Sequence, residues 1–296
     1  MSFRRLVHRF PLTVFFALAY GLSWAAWTPY VLSANGLGWI SLRFPEVLGT
    51  SQLLGMLPGA YLGPLCAAFV VTAAAEGRAG LRNWSQRLVR WRVGWRWYLF
   101  VLTGVPATIL LTTFALPAAW GHVATVSIVV VAAYLPMLFV QLVTTAIAEE
   151  PGWRDFALPR LQNRFGAVPG TVVLGLLWGG WHLPLFLTEW GGWPNVSWVS
   201  PVLFVACCVP LSLVMTWVFN RTGQSLPIVM VLHASINSTY SLVWPAVFPT
   251  LDIFRDSLTT QLIASTVMAL ILIVATRGRL GLRTAAPEPE PALAHA

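Results

Sequence analysis

Eight long apolar blocks dominate this chain and constrain its fold more than any motif does. They run over about 11–33, 53–75, 96–118, 126–150, 168–187, 201–220, 227–245 and 258–276. Each is close to the ~20 residues a helix needs to cross the hydrocarbon core of a bilayer. The blocks are continuous, whereas a membrane β-barrel would show short alternating segments. Charged residues make up 9% of the chain and mean hydropathy is +0.72, against about a quarter charged in a soluble domain. The expected fold is all-α: a polytopic membrane protein of about eight transmembrane helices, with any site inside the helical bundle.

The basic residues give an orientation. All 18 are arginine, and 16 of them fall in alternate loops or termini when eight spans are drawn, leaving Arg43 and Arg255 on the other side. Positive charge is retained in the cytoplasm, so both termini are expected there, in the cell inner (plasma) membrane. The arginines flank spans and form no single basic domain, which argues against nucleic-acid binding. The first apolar block runs long and lacks a small-residue cleavage site, so it reads as a retained anchor. Cys66, Cys207 and Cys208 lie inside blocks without metal-ligand spacing and read as packing residues.

Residues 1–122 are expected to form an N-terminal three-helix membrane region. Within it, Gly55, Gly59 and Gly63 recur every four residues and offer a smooth face for a neighbouring helix. Leu81, Trp84, Leu88 and Trp91 recur at helical spacing among arginines over 77–95. That segment reads as a cytoplasmic amphipathic helix on anionic lipid, or as an ordinary topogenic loop. Trp190, Trp193 and Trp198 suit an interfacial aromatic belt. A core over 123–245, a final transmembrane helix over 246–283 and a disordered cytoplasmic tail over 284–296 complete the organisation.

The chemistry-bearing residues concentrate in 145–240. An ionisable side chain at membrane depth costs roughly 2.5–3.5 kcal/mol on insertion scales and is rare without a use. Glu149 and Glu150 end the fourth block and are followed by Pro151, Gly152 and Arg154. Pro151 and Gly152 predict a turn there that folds Arg154 back onto a carboxylate; the plainer alternative is an i,i+4 pair at the membrane surface. Two neighbouring carboxylates away from water do not both carry charge freely, which suits one to take a proton from water. His182 follows Trp178 by four residues, so the two share a helix face; alone it could simply be a hydrogen-bonded core histidine. His233 and Asn237 share a face of the seventh block in the same way, and both can donate to an oxyanion.

The conjunction Glu149-Glu150 to Arg154, Trp178 to His182, and His233 to Asn237 resembles the CPBP family of intramembrane proteases. Its ordered motifs are Glu-Glu-x-x-x-Arg, aromatic-x-x-x-His and His-x-x-x-Asn/Asp. The resemblance covers about residues 125–245 and makes 123–245 a CPBP-like catalytic core. Trp178 departs from the usual Phe, with little effect expected. The resemblance implies an intramembrane endopeptidase in which Glu149 and His182 activate water, His233 and Asn237 stabilise the oxyanion, and Glu150 and Arg154 support the site. No metal is favoured. If zinc is used, Glu149, His182 and His233 would be its ligands. The expected partner is a membrane-associated peptide or protein substrate. The rival readings are a non-catalytic membrane scaffold or bacteriocin self-immunity protein on the same fold, and an ion-binding transporter, for which the paired broken repeats are missing.

Overall fold

The computed structural model describes residues 2–48, 50–121 and 123–282. Arg283 and the tail expected to be disordered lie outside them. Helix α1 is Pro11–Leu32, preceded by the short helix Phe3–Arg9. Then come α2, Gln52–Leu88; α3, over 95–113; α4, Ile128–Phe165; and α5, Ala167–Trp181. The last three are α6, Val199–Arg221; α7, Leu226–Val247; and α8, Arg255–Ala275. No strand occurs among the described residues, only an isolated Val47–Thr50 bridge. The all-α membrane architecture is as expected. Among the described residues, six helices are long and apolar enough to cross a bilayer, and a seventh counts if Phe3–Arg9 and Pro11–Leu32, bent by 114°, form one span. The expected eight is therefore approximate. The helix that falls short is α3, where Arg96, Thr103, Thr108, Thr112 and Thr113 dilute the apolar run.

Two expected boundaries are absent. The chain does not turn at Pro151-Gly152: α4 continues through Pro151–Ala157 as a π-helix and on to Phe165. A wider i→i+5 turn accommodates a residue without an N–H, and an earlier π-turn over Leu142–Ala146 has already rotated the helix ahead of the glutamates. Arg154 is therefore fully buried in the bundle and is not a loop charge. Likewise α2 does not end near residue 75. It bends at Gly77, whose φ of 62° suits a glycine, and runs on as the amphipathic segment. The apolar face of that segment is turned inward: Trp84 is buried and its indole donates to Pro151 O at 3.3 Å. Trp91 remains exposed.

Small residues set the closest helix contacts. Gly55, Gly59 and Gly63 of α2 lie against Tyr30, Trp27 and Ser23 of α1. Ser23 Oγ and Trp27 Nε1 each donate at 2.7 Å to carbonyls of α2, those of Gly59 and Met56. Gly175 and Gly179 of α5 bring in the backbone of α6 at Val209 and Val205. Gly152 faces the backbone of Pro64 in the same way, which presses the α2 π-turn Tyr61–Leu65 onto the segment just after the glutamates. Lipid-embedded helices associate through such packing and hydrogen bonds.

A side chain at Gly59 would drive into the Trp27 indole. Gly59→Val is expected to lower unfolding free energy in detergent by about 1–3 kcal/mol, the usual cost of overpacking. Gly21→Ala, where nothing lies within 4 Å, should be neutral or slightly stabilising in the same thermal-unfolding assay.

Candidate active site

The site is assembled by a helical hairpin and one crossing helix. Gly166, with φ of 87°, turns α4 back into α5. Glu149 and Glu150 lie about as far before that turn as His182 lies after it. Because α4 continues to Phe165, the glutamates sit buried within the helical bundle, level with His182. Helix α5 stops at Trp181, with His182 as its C-cap and a 3₁₀ turn beyond. Helix α7 brings His233 to the same point. Glu149, Glu150, Arg154, His182 and His233 are all buried, at 0–7% exposure.

Trp178 links the groups. Its indole Nε1 donates to Glu149 Oε2 at 2.7 Å. Its backbone carbonyl lies 2.9 Å from His182 Nδ1. A carbonyl only accepts, so His182 carries its proton on Nδ1 and offers a lone pair at Nε2 when neutral. The Trp178 ring meets His233 edge-on at 5.5 Å, and the Arg154 guanidinium lies over it at 4.7 Å. A phenyl ring has no N–H with which to hold Glu149, so Trp178 gives the site a contact that the usual Phe would not.

The second glutamate has a different set of partners. Glu150 Oε1 accepts from His233 Nδ1 at 2.8 Å. Glu150 Oε2 is 3.5 Å from Arg154 Nε, a charge contact without a hydrogen bond. Arg154 reaches Met215 Sδ at 3.1 Å and Ser212 Oγ at 3.4 Å through Nη2. The i,i+4 pair, the plainer of the two sequence readings, thus exists, but buried inside the bundle beside the carboxylate that holds His233.

Asn237 stands apart. It is half-buried one turn along α7 from His233, and its Nδ2 lies 3.4 Å from Gln141 Oε1, which also accepts from Thr145 Oγ1 at 3.1 Å. It makes no hydrogen bond to the glutamates or histidines. Four participants escaped the sequence. Gln141 sat unremarked in an apolar helix. Trp190, assigned to a membrane belt, stacks on His182 at 5.9 Å with an interplanar angle of 19°. Trp181 and Phe204 close the same ring at 4.7 and 4.9 Å. The signal for Trp190 was its position just beyond the motif histidine.

Among the described residues, no group of three or more His, Cys, Asp or Glu side chains converges as a metal site would. Glu149, His182 and His233 are not gathered as a three-ligand zinc centre in this arrangement.

Residues 131–239 match a family model described as Type II CAAX prenyl endopeptidase Rce1-like. The matched segment is similar to that family over little more than a third of the chain. All the residues singled out above from Glu149 to Asn237 lie within it. Over 114 residues the chain is 26% identical to CAAX prenyl protease 2 of Methanococcus maripaludis, which covers 37% of this chain and 41% of that one. The chain thus matches about two-fifths of the length of this curated relative. Helices α1, α2, α3 and α8 lie outside the matched family segment.

Trp178→Phe isolates the indole N–H. A buried carboxylate stripped of its donor loses about 1–3 kcal/mol. The variant is expected to unfold at lower temperature and, in any assay of peptide cleavage, to turn over about tenfold more slowly, the equivalent of 1.4 kcal/mol. Wild-type behaviour in both would contradict the role given to Trp178.

Proposed function

We propose that this protein is an intramembrane endopeptidase that hydrolyses a peptide bond of a membrane-associated peptide or protein. The observation that carries this reading is the hydrogen-bonded convergence of Glu149, Trp178 and His182 beside the Glu150–His233 pair, all buried. Groups this costly to bury are kept where they perform chemistry.

In the proposed mechanism, Glu149 Oε1 and His182 Nε2, which make no hydrogen bond to the protein among the described residues, hold the attacking water. Glu149 takes its proton as the oxygen adds to the carbonyl carbon. His233, protonated and balanced in charge by Glu150, presents Nε2–H to the oxyanion. Asn237 supplies a second donor, reached by a rotation away from Gln141. The C–N bond then breaks as Glu149 returns the proton to the leaving amine, and a carboxylate and an amine leave. Arg154 fixes Glu150 and takes no part in proton transfer. No step runs through a metal.

Glu149→Gln keeps the shape and the Trp178 contact but removes the base. Cleavage of a membrane-anchored reporter peptide by purified protein is expected to fall by about 10²–10⁴-fold, and His182→Ala should fall comparably. Chelator-washed wild type should retain its rate. If Glu149→Gln cleaves at the wild-type rate, a non-catalytic scaffold or immunity role takes the place of this one. Zinc that restores a chelator-abolished rate would replace the metal-free mechanism.

We also propose that both termini face the cytoplasm of the cell inner membrane, from the arginine distribution, and that exposed Arg78, Arg82, Arg90 and Arg92 meet anionic headgroups. Reporter fusions at the C-terminus and within 188–200 should then report opposite compartments. The same compartment for both would refute this orientation.

A further inference from the structure

The Arg-rich segment after Gly77 is strung between the two helices that hold the Glu150–His233 pair. On one side, Trp84 donates to the Pro151 carbonyl and Arg87 pairs with Asp155, whose carboxylate is fully buried within the π-helical stretch just after Arg154. Asp155 Oδ1 takes its hydrogen bond from Arg87, and Oδ2 has no partner. On the other side, three residues further along, Arg90 Nη1 donates to Gly223 O. The Arg90 carbonyl accepts from Ser225 Oγ at 2.6 Å. Ser225 is the N-cap of the helix that carries His233. Arg160 of α4 pairs with Glu76 immediately before the Gly77 bend, which pins the near end of the strap.

We infer that residues 76–92 form a cytoplasmic strap in which Arg87, through Asp155, is a positioning residue that sets the register of α4 against α7 and so the Glu150–His233 contact. The inference rests on the peptidase reading for its kinetic readout, but the contact itself can be observed without catalysis. Three features support it. The strap is outside the family segment 131–239, so the core borrows this support from the rest of the chain. Asp155 is an acidic residue placed at full burial with Arg87 as its hydrogen-bonding partner, and a buried charge held by a single partner depends strongly on it. The two anchor points lie within a few residues of Glu150 and about two turns from His233 along their helices, short enough for rigid helices to transmit a shift.

The test is a double-mutant cycle on the full chain with Arg87→Gln, Asp155→Asn and the pair, and with Arg87→Lys as the conservative control. Arg87 is partly exposed and Asp155→Asn is isosteric, so folding is checked by thermal unfolding but is not expected to fail. Two quantities are read: kcat and KM on a membrane-anchored reporter peptide, and the imidazole ¹⁵N signal of His233, assigned by its loss in His233→Gln. Each single variant should move the His233 signal and lower kcat by about 10- to 100-fold, the scale of loss a displaced catalytic group brings, with KM little changed. The pair should lose no more than either single variant, and Arg87→Lys should keep most of the rate. Wild-type cleavage with an unmoved His233 signal and unchanged kcat in Arg87→Gln would overturn the inference alone. A fall in thermal stability without either change would reduce the strap to a structural brace, which also overturns it. A moved His233 signal in a protein whose wild type cleaves nothing would leave the strap standing and refute the peptidase reading.

Discussion

A carboxylate buried among apolar helices needs a donor, and Glu149 takes its donor from the indole of Trp178 at 2.7 Å. The same tryptophan fixes His182 through its carbonyl, borders His233 with its ring edge and carries Arg154 on its face. Four of the site's polar side chains are thus located relative to one residue on α5. In a medium without water to solvate stray polar groups, such mutual satisfaction is what allows ionisable residues to be kept at depth. The geometry is secured further out by glycines. Gly175 and Gly179 seat α5 on α6, and Gly152 lets α2 press on the segment behind the glutamates.

Two irregularities in α4 make this arrangement possible. The π-turns at Leu142–Ala146 and Pro151–Ala157 lie on either side of Glu149 and Glu150. Each inserts an extra residue per turn and redirects the side chains that follow, a common device at functional sites. The consequence is that adjacent residues serve different partners: Glu149 faces Trp178 on α5, while Glu150 faces His233 on α7. The hairpin at Gly166 then fixes which residue of α5 stands opposite the glutamates.

The helical membrane architecture, the glycine ladder and the polar residues that converge in the bundle were readable from the chain, because long apolar runs and ionisable groups within them are strong local signals. Depth was not. Pro151-Gly152 looked like a helix end, and the π-helix that absorbs the proline leaves no mark in composition. That one misreading ended the fourth helix at the glutamates and put Arg154 beyond a turn, whereas both lie in one continuous, buried helix. The amphipathic period of Leu81, Trp84 and Leu88 was correctly seen, but its apolar face is satisfied by the protein's own core, at Pro151. Periodicity tells that a face is apolar and is silent on what covers it. Asn237 shares a helix face with His233 as the spacing required, yet its side chain turns to Gln141, a choice of rotamer that no spacing encodes.

The central claim, that the buried Glu149 and His182 cut peptide bonds in membrane-associated proteins, is tested most directly in cells. Membrane fractions from cells expressing the wild type, Glu149→Gln or His182→Ala at equal levels would be compared by terminal proteomics. The account predicts at least one new internal protein terminus that appears with the wild type and is lost with both variants. Identical sets of termini in all three, with each protein folded and inserted, would contradict it.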